Sequence, residues 1–183
     1  MSGSLLDDAF AHHAWATMRL IDTCLPLSPE QLESTVPGTY GSIIETMRHL
    51  VGGDSDYLSI MTADRAHLVD ADQMDLPALR VAIEKDGVLW SELLAKDLDP
   101  NEMVHEVDEH DGYERDATVG VRLAQALHHG TDHRSQICTA LTALRVDPPG
   151  IDVWNFGVQA GRIVEILPTT GPDSGSVSLR ADT

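Results

Sequence analysis

The sequence predicts an all-α protein, a bundle of four long helices followed by one short helix. Apolar side chains recur at steps of three and four residues in four separate segments, which is the helical period. Aromatic residues make up only 4% of a chain that is 42% hydrophobic, so aliphatic side chains must fill the core, as they do between packed helices. Together these observations describe a four-helix bundle with one long crossover between helices 3 and 4.

The four long helices are bounded by recognisable signals. The first spans residues 5–25 and ends before a proline-containing loop. The second begins at Ser42, which forms with Glu45 the Ser-x-x-Glu pattern of a capping box. The third spans residues 76–96, and the fourth spans residues 118–144, where an Asp-Pro-Pro-Gly sequence stops it.

The connection between the third and fourth long helices, residues 98–120, has a different pattern. Its apolar residues Val104, Val107 and Tyr113 are separated by polar ones, and residues 110–112 (His-Asp-Gly) offer a turn. We therefore expect either a short β-hairpin or an irregular crossover. Its acidic and histidine side chains match no metal-ligand spacing, so we expect them in solvent.

The C-terminal part contains one more apolar segment. Residues 151–167 predict a shorter fifth helix, broken near Gly157 or Gly161. Residues 168–183 are poor in apolar side chains, which is typical of a flexible tail. We expect residues 1–167 to form one domain, a size that is sufficient for a sizeable core.

The negative charge of the chain limits the kinds of molecule that it is expected to bind. A formal net charge of −18, from 30 acidic and 12 basic residues, excludes nucleic acid and anionic membranes as expected partners, because phosphate binding needs a cationic surface. The sequence contains no long apolar run, and its first twenty residues do not resemble a signal peptide. Two cysteines are too few for a disulfide framework. We expect a cytoplasmic protein that acts on a small molecule.

The segment HHGTDHRSQI, residues 128–137, carries the clearest chemical signal. His129 and His133 lie four residues apart on a predicted helix, so both imidazoles project from one face and can share a metal ion. His128 points about 100° away, and Cys138 points to the opposite side. A His-x-x-x-His pair alone is a weak signal, and a site needs a third ligand.

The remaining histidines leave the third ligand open. His49 lies in the apolar stripe of the second helix, beside Leu50 and Val51, where a buried imidazole needs a partner. It is either a core histidine bonded to a backbone carbonyl or a ligand. Gly52 and Gly53 follow it and weaken the helix by about 1 kcal/mol each, which indicates close packing against a neighbour.

Three segments together resemble one family. GTYGSIIETMRHLVGGDSDYL is similar to the second-helix signature of the DinB/YfiT-like superfamily, HHGTDHRSQI to its fourth-helix signature, and AWATMRLIDTCLPLSPEQL to its first-helix segment. The resemblance covers about residues 7–145 in the right order. It implies a DinB-like metal-binding four-helix bundle, a homodimer, with His49, His129 and His133 as the metal ligands.

The resemblance also implies a class of activity. Members of this superfamily include S-transferases and isomerases that use low-molecular-weight thiols such as bacillithiol, mycothiol or glutathione. The chain departs from the common pattern at Gln125, where many relatives carry an additional histidine, and at Ser135, where they carry glycine. Neither departure changes one of the three implied metal ligands, but both indicate that the substrate differs from that of these relatives.

Three histidines would leave a divalent ion at least one open coordination position, which is typical of catalytic rather than structural zinc sites. Coordination lowers the pKa of water and deprotonates a thiol, so S-transfer to, or hydrolysis of, an electrophilic substrate are the expected reactions. Zinc or nickel is expected first, and iron and manganese also fit. The alternative is a non-enzymatic metal-binding or structural module.

Three further side chains are candidate catalytic residues. Asp56 lies seven residues after His49, on nearly the same helix face, and could accept a proton. Asp132 is next to His133 and could orient its ring. Arg134 could clamp a carboxylate of a thiol cofactor or form an ion pair between helices. For both aspartates the alternative is a solvated carboxylate.

Overall fold

The computed structural model describes residues 6–107, 112–164 and 166. It confirms a mostly helical bundle built on four long helices, with one small two-stranded sheet. In chain order the elements are α1 (Asp7–Cys24), α2 (Pro29–Leu32), α3 (Ile43–Thr62), α4 (Leu76–Leu94), β1 (Met103–Val107), β2 (Glu114–Thr118), α5 (Val119–Ala143) and α6 (Val153–Gln159).

Side-chain caps explain where the helices begin. The Ser42 hydroxyl accepts a hydrogen bond from the backbone N–H of Glu45, and the Glu45 carboxylate accepts one from the N–H of Ser42, so the predicted capping box is present. The side chain of Asp75 accepts a hydrogen bond from the N–H of Ala78 at the start of α4, and that of Thr118 accepts one from the N–H of Val121 at the start of α5. These caps satisfy N–H groups that have no partner within a helix.

The long helices pack side by side as two antiparallel pairs, α1 with α4 and α3 with α5. The rings of Phe10 and Trp90 lie 4.5 Å apart in a tilted arrangement near one end of the bundle, and Asp22 pairs with Arg80 near the other, so α1 and α4 are antiparallel. The helices α3 and α5 are also antiparallel, because residues near the start of α3 lie beside the second half of α5. Two apolar clusters fill the two ends of the bundle.

A polar layer separates the two apolar clusters. We use this name for His13, Asp54, Asp86 and Arg134, one residue from each long helix, all at most 4% exposed. Each lies between residues of the two clusters on its own helix. The middle of the bundle is therefore polar although both of its ends are aliphatic.

The connection between α3 and α4 packs against α3. Residues 63–75 return along α3, where Ser55 bonds the backbone of His67 and Val69 and the Arg48 guanidinium donates to the carbonyl of Met74. This return places the start of α4 beside the start of α3.

The connection between α4 and α5 is residues 95–118, and it contains an antiparallel hairpin. Of the two predicted alternatives, the hairpin is the one that forms. His110 and Asp111 of the predicted turn lie outside the described residues.

The predicted fifth helix is present and short. Helix α6 ends at Gln159, and Gly161 follows with a φ of +67°, so the predicted break lies at Gly161 while Gly157 stays inside the helix. Phe156 anchors α6 against Trp15 of α1. The predicted tail, residues 168–183, lies outside the described residues. In the part of the chain that is described, no helix is long and apolar enough to span a membrane.

Candidate metal centre

Three imidazoles converge where α3 packs on α5. His49 comes from α3, and His129 and His133 come from successive turns of α5. The Nε2 atoms of His49 and His129 are 3.1 Å apart, and one ring nitrogen from each of the three residues lies within 4.8 Å of the others. The ring centres are separated by 4.5 to 4.9 Å. The structure thus brings together all three predicted ligand residues.

A glycine makes room for this arrangement. A Cβ atom at Gly53 would lie 2.7 Å from Cε1 of His129, which is closer than real side chains approach. Gly53 lies one turn after His49, so the same turn of α3 that supplies one imidazole leaves space for another. The predicted close packing at this glycine is confirmed, and its neighbour in space is a histidine.

Tyr40 and Gln136 orient two of the rings. The Tyr40 ring stacks on His49, with ring centres 4.0 Å apart and planes 9° from parallel. The Gln136 side-chain oxygen accepts hydrogen bonds from the backbone N–H of Tyr40, at 2.8 Å, and from Nδ1 of His133, at 3.3 Å. Because a backbone N–H can only donate, the glutamine oxygen must face it, and Nδ1 of His133 must then carry its proton. Nε2 of His133 is left with a lone pair.

Burial keeps the three imidazoles neutral. It lowers the pKa of His129 to about 4, with further lowering by His133 and then His49. Burial is also the largest cause that lowers the pKa of His49 and of His133. At neutral pH each ring therefore offers a lone pair to a cation, as metal ligation requires.

A cleft of about 440 Å³ opens beside the three histidines. His49 and His129 line it together with other residues of α3 and α5, and the β-hairpin forms its remaining wall. The Tyr57 ring meets His129 edge-on, and its hydroxyl accepts a hydrogen bond of 3.2 Å from Gln125. Two of the three imidazoles are thus accessible to a small molecule that enters the cleft.

The comparison with known families agrees with this architecture. The sequence model of the DinB family matches residues 1–162. The chain belongs to the DinB family. A search of curated proteins finds none that matches. DinB membership and the cluster of three histidines are both compatible with metal binding.

In this DinB-family bundle, only one of the three predicted catalytic residues lines the cleft. Asp56 does so, on the same side of α3 as His49. Asp132 is exposed, and Gln136 rather than Asp132 accepts the hydrogen bond that orients the His133 ring. The reason is helical geometry: an adjacent residue points about 100° away, whereas a residue three positions on shares the face.

Arg134 is the second correction. It is 4% exposed and turned towards α1, where its guanidinium donates to the carbonyl of His13 and to the hydroxyls of Thr17 and Thr131. It does not line the cleft, so the predicted clamp on a cofactor carboxylate is misplaced. The predicted alternative was an ion pair between Arg134 and another helix. Arg134 and Asp54 are linked only through His13, because Asp54 bonds His13 rather than the arginine.

Several residues of the DinB centre were not predicted. Gln136 lies three residues after His133, and this spacing could have identified it. Arg122 lies seven residues before His129, again on nearly the same face. Arg115 and Glu106 come from the hairpin, and no pattern in the sequence relates them to the histidines.

Proposed function

We propose that this protein is a metal-dependent enzyme whose metal is held by His49, His129 and His133. The observation that carries the proposal is the convergence of three neutral imidazoles at the wall of an open cleft. A purely structural metal site closes its coordination with a fourth protein ligand, whereas a catalytic site leaves a position for substrate. Among the described residues, only these three form such a group of potential ligands.

The geometry of the donors fits a divalent ion. Two nitrogens bonded to tetrahedral zinc at 2.0–2.1 Å lie about 3.3 Å apart, and the two facing Nε2 atoms of His49 and His129 are 3.1 Å apart. An all-imidazole set suits zinc and nickel, and also accepts iron and manganese. Zinc or nickel is therefore proposed first.

The proposed reaction is transfer of a low-molecular-weight thiol to an electrophile, or hydrolysis of that electrophile. A divalent ion at the histidines would supply a thiol or a water already deprotonated at neutral pH. Asp56 lines the same cleft and is the proposed proton acceptor. Burial raises the pKa of Tyr57, so its phenol stays protonated and can donate a hydrogen bond to a substrate oxygen.

The volume of the cleft supports a small-molecule substrate. About 440 Å³ lies within the usual range for small-ligand pockets. Thiol transfer is placed ahead of hydrolysis because the sequence resembles a superfamily with thiol-dependent members. A non-enzymatic module remains the alternative, and the following experiment separates the two.

The test combines elemental analysis with a thiol screen. Protein purified without a histidine tag is expected to hold one metal ion per chain, and His49→Ala to reduce this to background. His105→Ala is the matched control, because His105 is exposed and bonds Asp116 on the hairpin. Wild-type protein is then incubated with bacillithiol, mycothiol or glutathione and a generic electrophile, and the conjugate is measured.

The metal content and the conjugation assay distinguish the two alternatives. Metal content that His49→Ala does not lower would overturn the site. Bound metal with neither conjugation nor hydrolysis would favour the non-enzymatic alternative. Conjugation that is lost in His49→Ala and kept in His105→Ala supports the proposed enzyme.

A further inference from the structure

The end of the cleft away from the histidines contains a buried arginine that is incompletely bonded. Arg122 is 8% exposed, and its NH1 donates to Glu106 at 2.7 Å while its NH2 donates to the carbonyls of Val104 and Arg115. Its Nε has no hydrogen-bond partner among the described residues. The guanidinium is thus fixed in place by the hairpin, and its unpartnered Nε is shielded from solvent.

The distance from Arg122 to the histidines follows from helical geometry. Arg122 and His129 both belong to α5 and both line the cleft. Seven residues correspond to two turns, so the two side chains share a face and lie roughly 10 Å apart along the axis. The cleft therefore has a histidine end and an arginine end, separated by the length of a small molecule.

Arg115 adds a second guanidinium at the arginine end. It lies on β2, is exposed, and lines the same cleft as Arg122. Its guanidinium carbon lies 5.8 Å from the centre of the Tyr113 ring. Hairpin pairing, with Glu106 opposite Arg115, holds it beside the Glu106–Arg122 ion pair. Both arginines of the cleft thus meet where the hairpin covers α5.

The charges of the lining favour an anion once the cleft holds a metal. Glu106 is already bonded to Arg122, and Asp56 is the other carboxylate of the lining. These two acids balance the two arginines, so a divalent ion at the histidines would leave the cleft cationic within a chain of net charge −18. Arginine is the side chain best suited to hold a carboxylate by two parallel hydrogen bonds.

We propose that Arg115 and Arg122 form a carboxylate subsite, which holds the acidic end of a ligand whose thiol lies at the three histidines. The proposal rests on the proposed function for the thiol end and on the hairpin arginines for the acidic end. It specifies the ligand class as an extended thiol that carries a carboxylate roughly 10 Å from its sulfur. It also transfers to these two residues the clamp that the sequence suggested for Arg134.

The test compares a charged probe with its neutral counterpart. Titration calorimetry on the metal-loaded protein measures 8-mercaptooctanoate and 8-mercaptooctanamide, whose extended length matches the spacing of about 10 Å. The carboxylate is expected to bind about tenfold more tightly, because a hydrogen bond to a charged group is worth roughly that factor. In Arg115→Gln this preference should fall to about twofold or less. Arg115 is exposed on β2, so this variant is expected to fold, and its thermal unfolding is measured in parallel.

Arg19→Gln is the matched control. It removes the same charge from an exposed arginine on α1 that lies over Trp15, outside the cleft, and should keep the tenfold preference. Equal binding of carboxylate and amide by the metal-loaded wild type would overturn the subsite, as would a preference that survives in Arg115→Gln.

A second pair of probes separates this proposal from the metal site. If elemental analysis finds no metal, the proposed function fails while the subsite is still measured with octanoate and octanamide, which carry no thiol. An Arg115-dependent preference for octanoate would then support the subsite, and its absence would overturn it.

Discussion

The polar layer and the three-histidine cluster are both histidine-containing polar groups within one bundle, yet their hydrogen bonding differs. In the polar layer, Nε2 of His13 bonds one oxygen of Asp54 at 2.8 Å, and Trp90 donates to the other oxygen at 3.0 Å. In the cluster, two imidazole nitrogens face each other at 3.1 Å, and no carboxylate bonds either of them among the described residues. A histidine with a buried carboxylate partner is stabilised by that partner, whereas imidazoles that face each other without a carboxylate could hold a cation.

The largest expected effect comes from the polar layer. Replacing Asp54 with alanine leaves the buried ring nitrogens of His13 and Trp90 without the carboxylate that they share. We expect the free energy of unfolding to fall by about 3–5 kcal/mol, because two buried hydrogen-bonding groups lose their partner and each keeps its desolvation cost. Urea denaturation of the metal-free protein measures this change.

Asp22→Ala provides the contrast to Asp54→Ala. Asp22 pairs with Arg80 at the surface, where both side chains are more than a third exposed, so its loss should cost at most about 1 kcal/mol. Folded Asp54→Ala should still bind metal at the three histidines. If Asp54→Ala abolishes metal binding but leaves the free energy of unfolding unchanged, the polar layer is not the structural group that we describe.

The next effect concerns the orientation of a proposed ligand. Gln136→Ala removes the acceptor that fixes the proton on Nδ1 of His133, and we expect metal affinity to fall by about 10- to 100-fold. Gln136→Glu keeps an acceptor and should retain most of the affinity. Competition with a chromophoric chelator gives the affinities.

Gln125→Ala is the control on the same helix. Gln125 hydrogen-bonds Tyr57 rather than an imidazole, so its loss should leave metal affinity within about twofold of the wild type. If Gln136→Ala and Gln125→Ala weaken metal binding equally, the role of Gln136 as an orienting acceptor is wrong.

The smallest effect comes from the acid of the polar layer that lacks a complete set of partners. Asp86 is 2% exposed, and its Oδ2 has no hydrogen-bond partner among the described residues. Burial, and next the charge of Asp54, raises the pKa of Asp86 to about 8. Because the pKa of Asp86 is higher in the folded than in the unfolded protein, the folded protein is most stable when this carboxyl is protonated. The free energy of unfolding is therefore expected to fall as the pH rises from about 4 towards 8.

Asp86→Asn should therefore be the more stable protein at pH 8, by about 1–2 kcal/mol, with little difference at pH 4. Denaturation of the wild type and the variant at both values measures the difference, in which the titration of other groups largely cancels. A gap that does not grow with pH would mean that the Asp86 carboxyl is solvated or partnered.

Local patterns in the sequence were sufficient to predict the long helices and two of the three histidines of the candidate metal centre. The capping box at Ser42 and Glu45 involves only neighbours in the chain, so it could be predicted and is present. The step from His129 to His133 is likewise local, because one helical turn fixes it. Arg134 and Asp132 were misplaced for the same local reason, since adjacent residues on a helix point in different directions.

His49 is about eighty residues from its partners, and only the antiparallel packing of α3 on α5 brings it to them. The residues themselves left its role open, and the family resemblance supplied the assignment. Arg115 joins the cleft through the register of a hairpin that the sequence offered only as one of two alternatives.

The sequence by itself determined the helices, their caps and the direction of each side chain on its own helix, because these depend on interactions within a few residues. Only the tertiary structure decided which faces meet, and therefore that one group of histidines has a carboxylate and the other has a cleft. The physical reason is that burial and hydrogen-bond partners come from packing between elements far apart in the chain, and these determine whether an imidazole is already satisfied or available to a metal.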